Sequence, residues 1–186
     1  TFAGNIGLFG GAIVNDAASA LSIQNSILTN NEGGGGGSDD CSGPGITGSN
    51  NLIDDHASGD CSGVSDAAAT NVDTSLTNNC GATPTHALLA GSNAIDAGAA
   101  SCPDHSGNPL TTDQRGLTRP QGSACDIGAF ELAHFTLTGD LAGTGSGAVT
   151  LDPPGGAYAS GTEVTATATP PTRSAPTRWG GRCARP

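Results

Sequence analysis

The chain has no methionine, no lysine and no long apolar run. It begins at Thr1 without a charged region followed by an apolar stretch, so we interpret it as an excised or processed segment. No apolar run approaches the roughly 18 residues that a membrane-spanning helix needs. We therefore expect no membrane span in this segment, and any anchor must lie outside it or in a partner.

Basic residues are also scarce. The chain has 17 acidic residues against six arginines, and its formal net charge is −11. Most of the arginines lie close to the carboxyl end, so the rest of the chain is still more acidic. Such a surface repels phosphate backbones, and we expect no nucleic-acid partner. The acidity suits solubility outside a cell.

Signatures of metal-dependent or nucleophilic catalysis are missing. The histidines lack the HExxH spacing of a zinc-binding helix, and no serine stands in a GxSxG turn. Asp104, Asn108 and Asp113 offer oxygen ligands for Ca²⁺, but their spacing is not that of an EF-hand. We interpret them as ordinary loop residues. We therefore expect no metal site and no bound cofactor.

One local pattern points towards polysaccharide cleavage. Asp54, Asp55 and His56 resemble the carboxylates and histidine that a polygalacturonase-type hydrolase needs. The predicted strands, however, carry no arginine or lysine that would hold an acidic sugar. We therefore predict no catalytic residue here. The alternative is the carboxy-terminal part of a polysaccharide-active lyase or glycoside hydrolase whose catalytic region lies upstream of Thr1.

Six cysteines without a CxxC pair predict disulfides in an oxidising compartment. The residues Asp40-Cys41-Ser42-Gly43 recur further along the chain as Asp60-Cys61-Ser62-Gly63. The offset between the two copies is about the length of one turn of a solenoid. We therefore predict a disulfide between Cys41 and Cys61, across adjacent coils.

The amino-terminal part of the chain, 1–81, reads as short strands separated by glycine and asparagine. Apolar residues alternate in 21–24, Asn25 interrupts, and a second short strand follows in 26–29. Asparagine tolerates the left-handed backbone conformation that a sharp bend between two strands requires. This part of the chain therefore predicts a strand, a corner and a second strand.

The same order of residues returns one repeat later. Asn50 stands where Asn25 stood, and Leu52 stands where Ile27 stood. Short strands that recur with this spacing indicate a parallel β-helix. We expect Asn25 and Asn50 to be stacked corner residues bonded to backbone inside it, and the glycine run 33–37 to be a flexible surface loop.

A longer stretch, from Thr83 to Glu131, contains TPTHALL, GSNAIDAG, TDQRG, RPQG and CDIGAFE in that order. It resembles the closing segment of the choice-of-anchor Q family of bacterial surface proteins. The resemblance implies an all-β fold, a right-handed parallel β-helix in 1–81 with an irregular cap in 82–133. The residues that we expect to cover the last coil are Leu88, Leu89, Ile95, Ile127 and Phe130.

Two further expectations concern this cap. Cys102 and Cys125 bracket the TDQRG loop, so we predict the second disulfide between them, which leaves Cys80 and Cys183 over. We also predict that Arg115 is the most buried base of the chain, because an unpaired buried guanidinium would be very costly among so many acids. Its expected partners are Asp126 with Asp96 or Glu131.

The composition shifts to threonine, alanine, glycine and proline in 134–186. Strand alternation in 164–169 and the later Trp179-Gly180-Gly181 resemble a divergent internalin B-type repeat, a small β module of bacterial surface stalks. The segment between them is rich in arginine and proline instead of aromatic residues. We therefore predict an incomplete module followed by a poorly ordered tail.

Two classes of function follow from these patterns. We favour a non-catalytic structural or adhesive segment of an extracellular or cell-surface protein over the end of a polysaccharide-active enzyme. The candidate partners are cell-surface polysaccharides and surface proteins of a host or neighbouring cell. Because the strands near Phe2, Ile6 and Phe9 lack an upstream neighbour, we also expect the segment 1–20 to fray and the isolated chain to self-associate.

Overall fold

The computed structural model describes residues 1–8, 10–16, 19–34, 40–54, 61, 67–139, 142, 146–160 and 162–170. Several features named above lie outside these residues, namely Phe9, most of the glycine run, Asp55, His56, Cys183 and the arginine-rich end. The chain divides into two compact units, one of Thr1–Phe135 with Tyr158–Thr162 and one of Thr136–Ala157 with Glu163–Pro186.

The protein is all-β, and the described residues contain no helix. The sequence pattern predicts the strands at 21–24 and 27–29 and their counterparts one repeat later, and these are four of the seven short strands of the first unit. Their bounds are β1 Phe2–Ala3, β2 Ile13–Val14, β3 Leu21–Gln24, β4 Ile27–Thr29, β5 Cys41–Ser42, β6 Ile46–Ser49 and β7 Leu52–Ile53.

All pairing between these seven strands is parallel. They form a three-stranded sheet in the order β1-β4-β7 and two two-stranded sheets, β2-β5 and β3-β6. The register places Leu21 opposite Ile46 and Ile27 opposite Leu52. The predicted equivalence of positions in the two repeats is therefore confirmed for both pairs of strands.

The corner between β3 and β4 and the corner between β6 and β7 share one backbone conformation. Asn25 has φ of 49° and Asn50 has φ of 54°, both in the left-handed region that asparagine tolerates. The prediction that these asparagines turn the corners is confirmed.

The buried asparagines that link neighbouring strands are different residues. Asn51 is 2% exposed; its Oδ1 accepts from the Ser26 amide at 3.0 Å and its Nδ2 donates to the Ile23 carbonyl at 2.9 Å. Asn31 is 1% exposed and makes the same pair of bonds to Asn5 and Phe2. The expectation that Asn25 and Asn50 are bonded inside the stack is thus wrong, because their side chains bond to the main chain of Ala99 and Ala97 in the segment 82–133, which we call the closing segment.

Strands β4 and β7 of the three-stranded sheet are buried on both faces, whereas Phe2 of β1 is 43% exposed. Successive side chains of a strand point to opposite faces, and the neighbours Ile27 and Leu28 belong to separate apolar clusters. Leu28 packs with Ile46, Ile53 and the two cysteines of the first disulfide. Ile27 packs with Leu52 and with residues of the closing segment, namely Leu88, Ala94, Ile127, Phe130 and Leu132.

The closing segment therefore covers one face of this sheet. Three of the five residues that we expected to cover the last coil are buried in the cluster, and Ile95 is partly buried against it. Leu89 is 49% exposed, so its predicted role is wrong. The amide of Leu89 donates to the carbonyl of Asn71, and only the preceding Leu88 side chain enters the core.

Both predicted disulfides are present. Cys41 is bonded to Cys61 with a Cα–Cα distance of 6.4 Å, and Cys102 is bonded to Cys125 at 5.7 Å. Among the cysteines that the structure describes, Cys80 is free and exposed. The first bridge contributes to the Leu28 cluster, and the second joins two loops of the closing segment.

The strands after the closing segment are β8 His134–Thr136, β9 Ala148–Asp152, β10 Ala157–Ala159 and β11 Thr165–Thr169. The second unit contains an antiparallel pair, β9 with β11, in which Thr165 lies opposite Asp152. Strand β8 pairs with β10. Every residue of β11 is exposed, so this strand has no buried face.

Candidate functional site

The closing segment contains a cluster of buried carboxylates whose oxygens are occupied by backbone amides. Asp113 accepts from the amides of Arg115, Leu117 and Glu131 at 2.8 to 3.0 Å. Asp126 accepts from the amides of Asp96 and Leu132. These carboxylates therefore fix loop segments that have no strand to hold their backbone.

Glu131 lies at the centre of this cluster and is fully buried. Its two oxygens accept from the amide of Gln121 at 2.9 Å and from the amide of Asp126 at 3.0 Å. The Nε atom of Arg119 lies 3.2 Å from Oε2 of Glu131. Since this Nε has no hydrogen-bond partner, the contact is an ion pair without a well-directed hydrogen bond.

The structure corrects the prediction for Arg115. Its side chain is 13% exposed, whereas that of Arg119 is 6% exposed, so Arg119 is the more buried of the two. Arg115 pairs with the Asp113 carboxylate at 2.8 Å, donates to the main-chain oxygen of Glu131, and lies over the Phe130 ring. None of the three carboxylates predicted for it is its ion-pair partner, because the TDQRG turn folds Arg115 back onto its own neighbour.

The carboxylates of the cluster have opposite pKa shifts. Burial is the main reason that the pKa values of Asp126 and Glu131 are raised above the ordinary range. Burial alone would raise the pKa of Asp113 as well, but hydrogen bonds from the Glu131 amide and from Arg115 and Leu117 outweigh it and lower that pKa.

A cleft of about 350 Å³ lies beside this cluster. One side is lined by Ser22 and Gln24 of strand β3 and by Asn25, which follows it. The other side is the loop that begins at the second disulfide, and it includes the residues Pro103, Asp104, His105 and Leu110. Arg119 and Asp126 also line the cleft and connect it to the buried charges.

The wall made by the disulfide loop is held by its own hydrogen bonds. The Asp104 carboxylate accepts from the amides of Ser106 and Asn108 at 2.8 and 2.9 Å. The amide of Leu110 donates to the carbonyl of Cys102 at 2.8 Å. The bonds from Asn108 and Ser106 lower the pKa of Asp104, so this carboxylate is charged at neutral pH.

The opposite wall is joined to the closing segment at Asn25. The Oδ1 atom of Asn25 accepts from the amide of Ala99 at 2.9 Å, and its carbonyl accepts from the amide of Gly128 at 2.8 Å. The end of strand β3 is therefore bonded directly to the closing segment, at Ala99 and at Gly128, which also lines the cleft.

The three residues considered as Ca²⁺ ligands do not form one site. Asp104 and Asn108 share a loop and bond to each other, whereas Asp113 is occupied by Arg115 and by backbone amides. Within the described ranges, no group of three or more His, Cys, Asp or Glu side chains is arranged to hold a metal ion. His86 contacts the carbonyl of Asp73 at 3.0 Å.

The cleft could not be predicted from the sequence. Its two walls lie far apart in the chain, and Ser22, Gln24 and His105 have no local motif. The one signal that places these segments together is the corner at Asn25, whose side chain we had placed inside the strand stack.

The fold and these sites define an all-β protein with two disulfides. Disulfides of this kind are compatible with an extracellular location. No helix in the part of the chain that the structure describes is long and apolar enough to cross a lipid bilayer. No family model, curated protein or solved structure matches the chain.

Proposed function

We propose that the chain is the closing part of a right-handed parallel β-helix from a bacterial extracellular or cell-surface protein, where it serves as a non-catalytic structural or adhesive segment. The parallel register between successive repeats supports the β-helix. The buried asparagines, which repeat the same bonds to the neighbouring strand, support it as well. The resemblance of Thr83–Glu131 to the choice-of-anchor Q segment supports the location.

The observation that carries the non-catalytic assignment is the use made of the buried carboxylates. Asp126 and Glu131 each accept two backbone amides, one on each carboxylate oxygen. A general acid or base has to exchange a proton with a substrate atom within hydrogen-bond reach. The oxygens of Asp126 and Glu131 instead accept hydrogen bonds from four backbone amides of the surrounding loops. These two carboxylates therefore act as structural links between loop segments.

The adhesive role is supported by the exposed walls of the cleft and by the strand stack behind them. A stack in which strands β4 and β7 are buried on both faces is a rigid base for surface loops. In this proposal the β module after the closing segment acts as a spacer, as its resemblance to an internalin B-type repeat implies.

A polysaccharide-active enzyme is the second candidate, and one observation favours it. Asp104 and Asp126 line the same cleft, and their pKa values are shifted in opposite directions. Two carboxylates with such a difference are the usual arrangement for acid and base roles in glycoside hydrolysis. We rank this candidate second because the backbone amides of Asp96 and Leu132 already donate hydrogen bonds to both oxygens of Asp126.

One experiment separates the two candidates. The full chain is incubated with a panel of neutral and acidic polysaccharides, and new reducing ends and unsaturated uronic acids are measured alongside retention of the protein on each polysaccharide and on intact bacterial cells. We expect retention on a polysaccharide or on cells without product. Product formation that is lost in Asp126→Asn, while that variant keeps its thermal midpoint, would establish the enzyme instead.

A further inference from the structure

We infer that the cleft between strand β3 and the disulfide-linked loop binds a neutral sugar residue of a glycan. This inference rests on the proposed adhesive function and gives that function a site and a ligand class. The cleft lies entirely within the first unit, between Ser22 and Gln24 on one side and the loop from Pro103 to Leu110 on the other.

The cleft presents polar groups that are available to a ligand. Ser22, Gln24 and His105 are exposed, and in the part of the chain that the structure describes their side chains have no hydrogen-bond partner. Together they offer a hydroxyl, a primary amide and an imidazole. Such groups donate and accept at once, as the hydroxyls of a sugar require.

The same cleft has an apolar part. Leu110 is 46% exposed, and Pro103 and the second disulfide lie next to it along the lining. A pyranose ring has a face of C–H groups in addition to its hydroxyls, so it matches a lining in which a few placed polar groups accompany an apolar surface. The volume of about 350 Å³ lies near the lower end of the range for small-molecule sites, which suits one or two sugar rings.

The charges in the lining favour a neutral ligand. The Asp104 carboxylate is ionised and accessible, so it repels the carboxylate or sulfate of an acidic sugar. The positive charge of Arg119 does not compensate, because its side chain is 6% exposed and is paired with Glu131. Both Asp104 oxygens already accept hydrogen bonds, Oδ1 from the amides of Ser106 and Asn108 and Oδ2 from the Asn108 side chain, so this carboxylate is poorly placed to pair with a cationic sugar.

The walls are held in place before any ligand arrives. Asn25 bonds to Ala99 and Gly128, and the loop is fixed by the Cys102–Cys125 bridge and by the two amides on Asp104. A site that is already ordered loses little conformational entropy on binding. Weak individual contacts to hydroxyl groups can therefore sum to a measurable affinity.

The register of strands β3 and β6 provides matched controls for a test. Ser22 lies opposite Thr47, and Gln24 lies opposite Ser49. All four residues are exposed, but only Ser22 and Gln24 line the cleft. The binding variant is Gln24→Ala with His105→Ala, and the control variant is Thr47→Ala with Ser49→Ala.

The full chain is applied to an array of neutral, acidic and amino-sugar glycans, and the affinity for the glycan retained most strongly is then measured by titration calorimetry. We expect a neutral glycan, an affinity loss of about tenfold or more in the binding variant, and a change below about twofold in the control. Equal thermal midpoints for wild type and both variants show that folding is not the cause.

Preference for acidic or amino sugars, equal affinity of the wild type and the binding variant, or no binding to any glycan would overturn the inference. The last result leaves the proposed function standing if the chain still adheres to cells. Product release from a polysaccharide, in contrast, overturns the non-catalytic function even if the glycan binds in the cleft.

Discussion

Arg119 and Glu131 form an ion pair with 3.2 Å between Nε and Oε2, and their side chains are 6% and 1% exposed. Glu131 also holds the amides of Gln121 and Asp126, and Arg119 donates to the carbonyl of Gly128 at 2.8 Å. One buried pair thus connects the segment 119–121 with the segment 126–131. Its removal tests how the closing segment is held.

We predict that Arg119→Ala destabilises the protein by about 3 to 5 kcal/mol, since breaking a buried pair leaves the Glu131 charge uncompensated. Arg115→Ala is the matched comparison and should lower the free energy of unfolding by less. Asp113 still accepts hydrogen bonds from three backbone amides in this variant, and Arg115 is more exposed than Arg119. Urea unfolding of the oxidised protein gives both values. A larger loss for Arg115→Ala contradicts this account of the cluster.

Two apolar substitutions test the packing of the closing segment. Ile27 is 1% exposed and packs against Ile127 and Phe130 in one cluster, so Ile27→Ala should cost about 2 to 5 kcal/mol. Leu89→Ala removes a side chain that is 49% exposed and should cost less than about 0.5 kcal/mol. Comparable losses in the two variants would show that the closing segment packs differently.

The opposite pKa shifts predict opposite pH dependence in two variants. Asp126 has a raised pKa, so its contribution to stability is full below the ordinary value of 3.8 and is lost as the pH rises through the folded-state value. Asp113 has a lowered pKa, so its contribution is present above 3.8 and is lost as the pH falls.

The direction of each pH dependence is obtained from unfolding free energies measured between about pH 3 and about pH 7. The stability advantage of wild type over Asp126→Asn should shrink as the pH rises, and its advantage over Asp113→Asn should shrink as the pH falls. The same trend in both variants is the outcome that this account forbids.

The disulfides predict both reactivity and stability. In the folded protein, an alkylating reagent should modify Cys80 and leave Cys41, Cys61, Cys102 and Cys125 unmodified until a reductant is added. Peptide mapping that joins Cys80 to any of these four cysteines would refute the assignment.

Replacing Cys41 and Cys61 together by serine should lower the free energy of unfolding by about 3 kcal/mol in the chain-entropy model.

Much of the strand pattern could be predicted because it depends on local chemistry. An asparagine between two short apolar stretches predicts a corner, because its left-handed backbone conformation does not depend on the rest of the chain. The recurrence of the same pattern in the next repeat predicts which residues of the two strands lie opposite each other. The repeated residues around Cys41 and Cys61 predicted their bridge for the same reason.

The errors fall where two similar neighbours have different environments. Leu88 and Leu89 are adjacent, and so are Asn50 and Asn51; in each pair one residue is buried and the other is exposed. Which member is buried depends on the segment that packs against it, and the local sequence does not show which segment that is. Cleft residues such as Gln24 and His105 were missed because their proximity depends on the same packing.

The central claim is the parallel stack of strands, and backbone NMR of the isotope-labelled full chain tests it most directly. The account predicts nuclear Overhauser contacts between β3 and β6 that connect Leu21 with Ile46 and Gln24 with Ser49. Contacts in the reverse order, Leu21 with Ser49 and Gln24 with Ile46, or no contacts between these two segments, would contradict it.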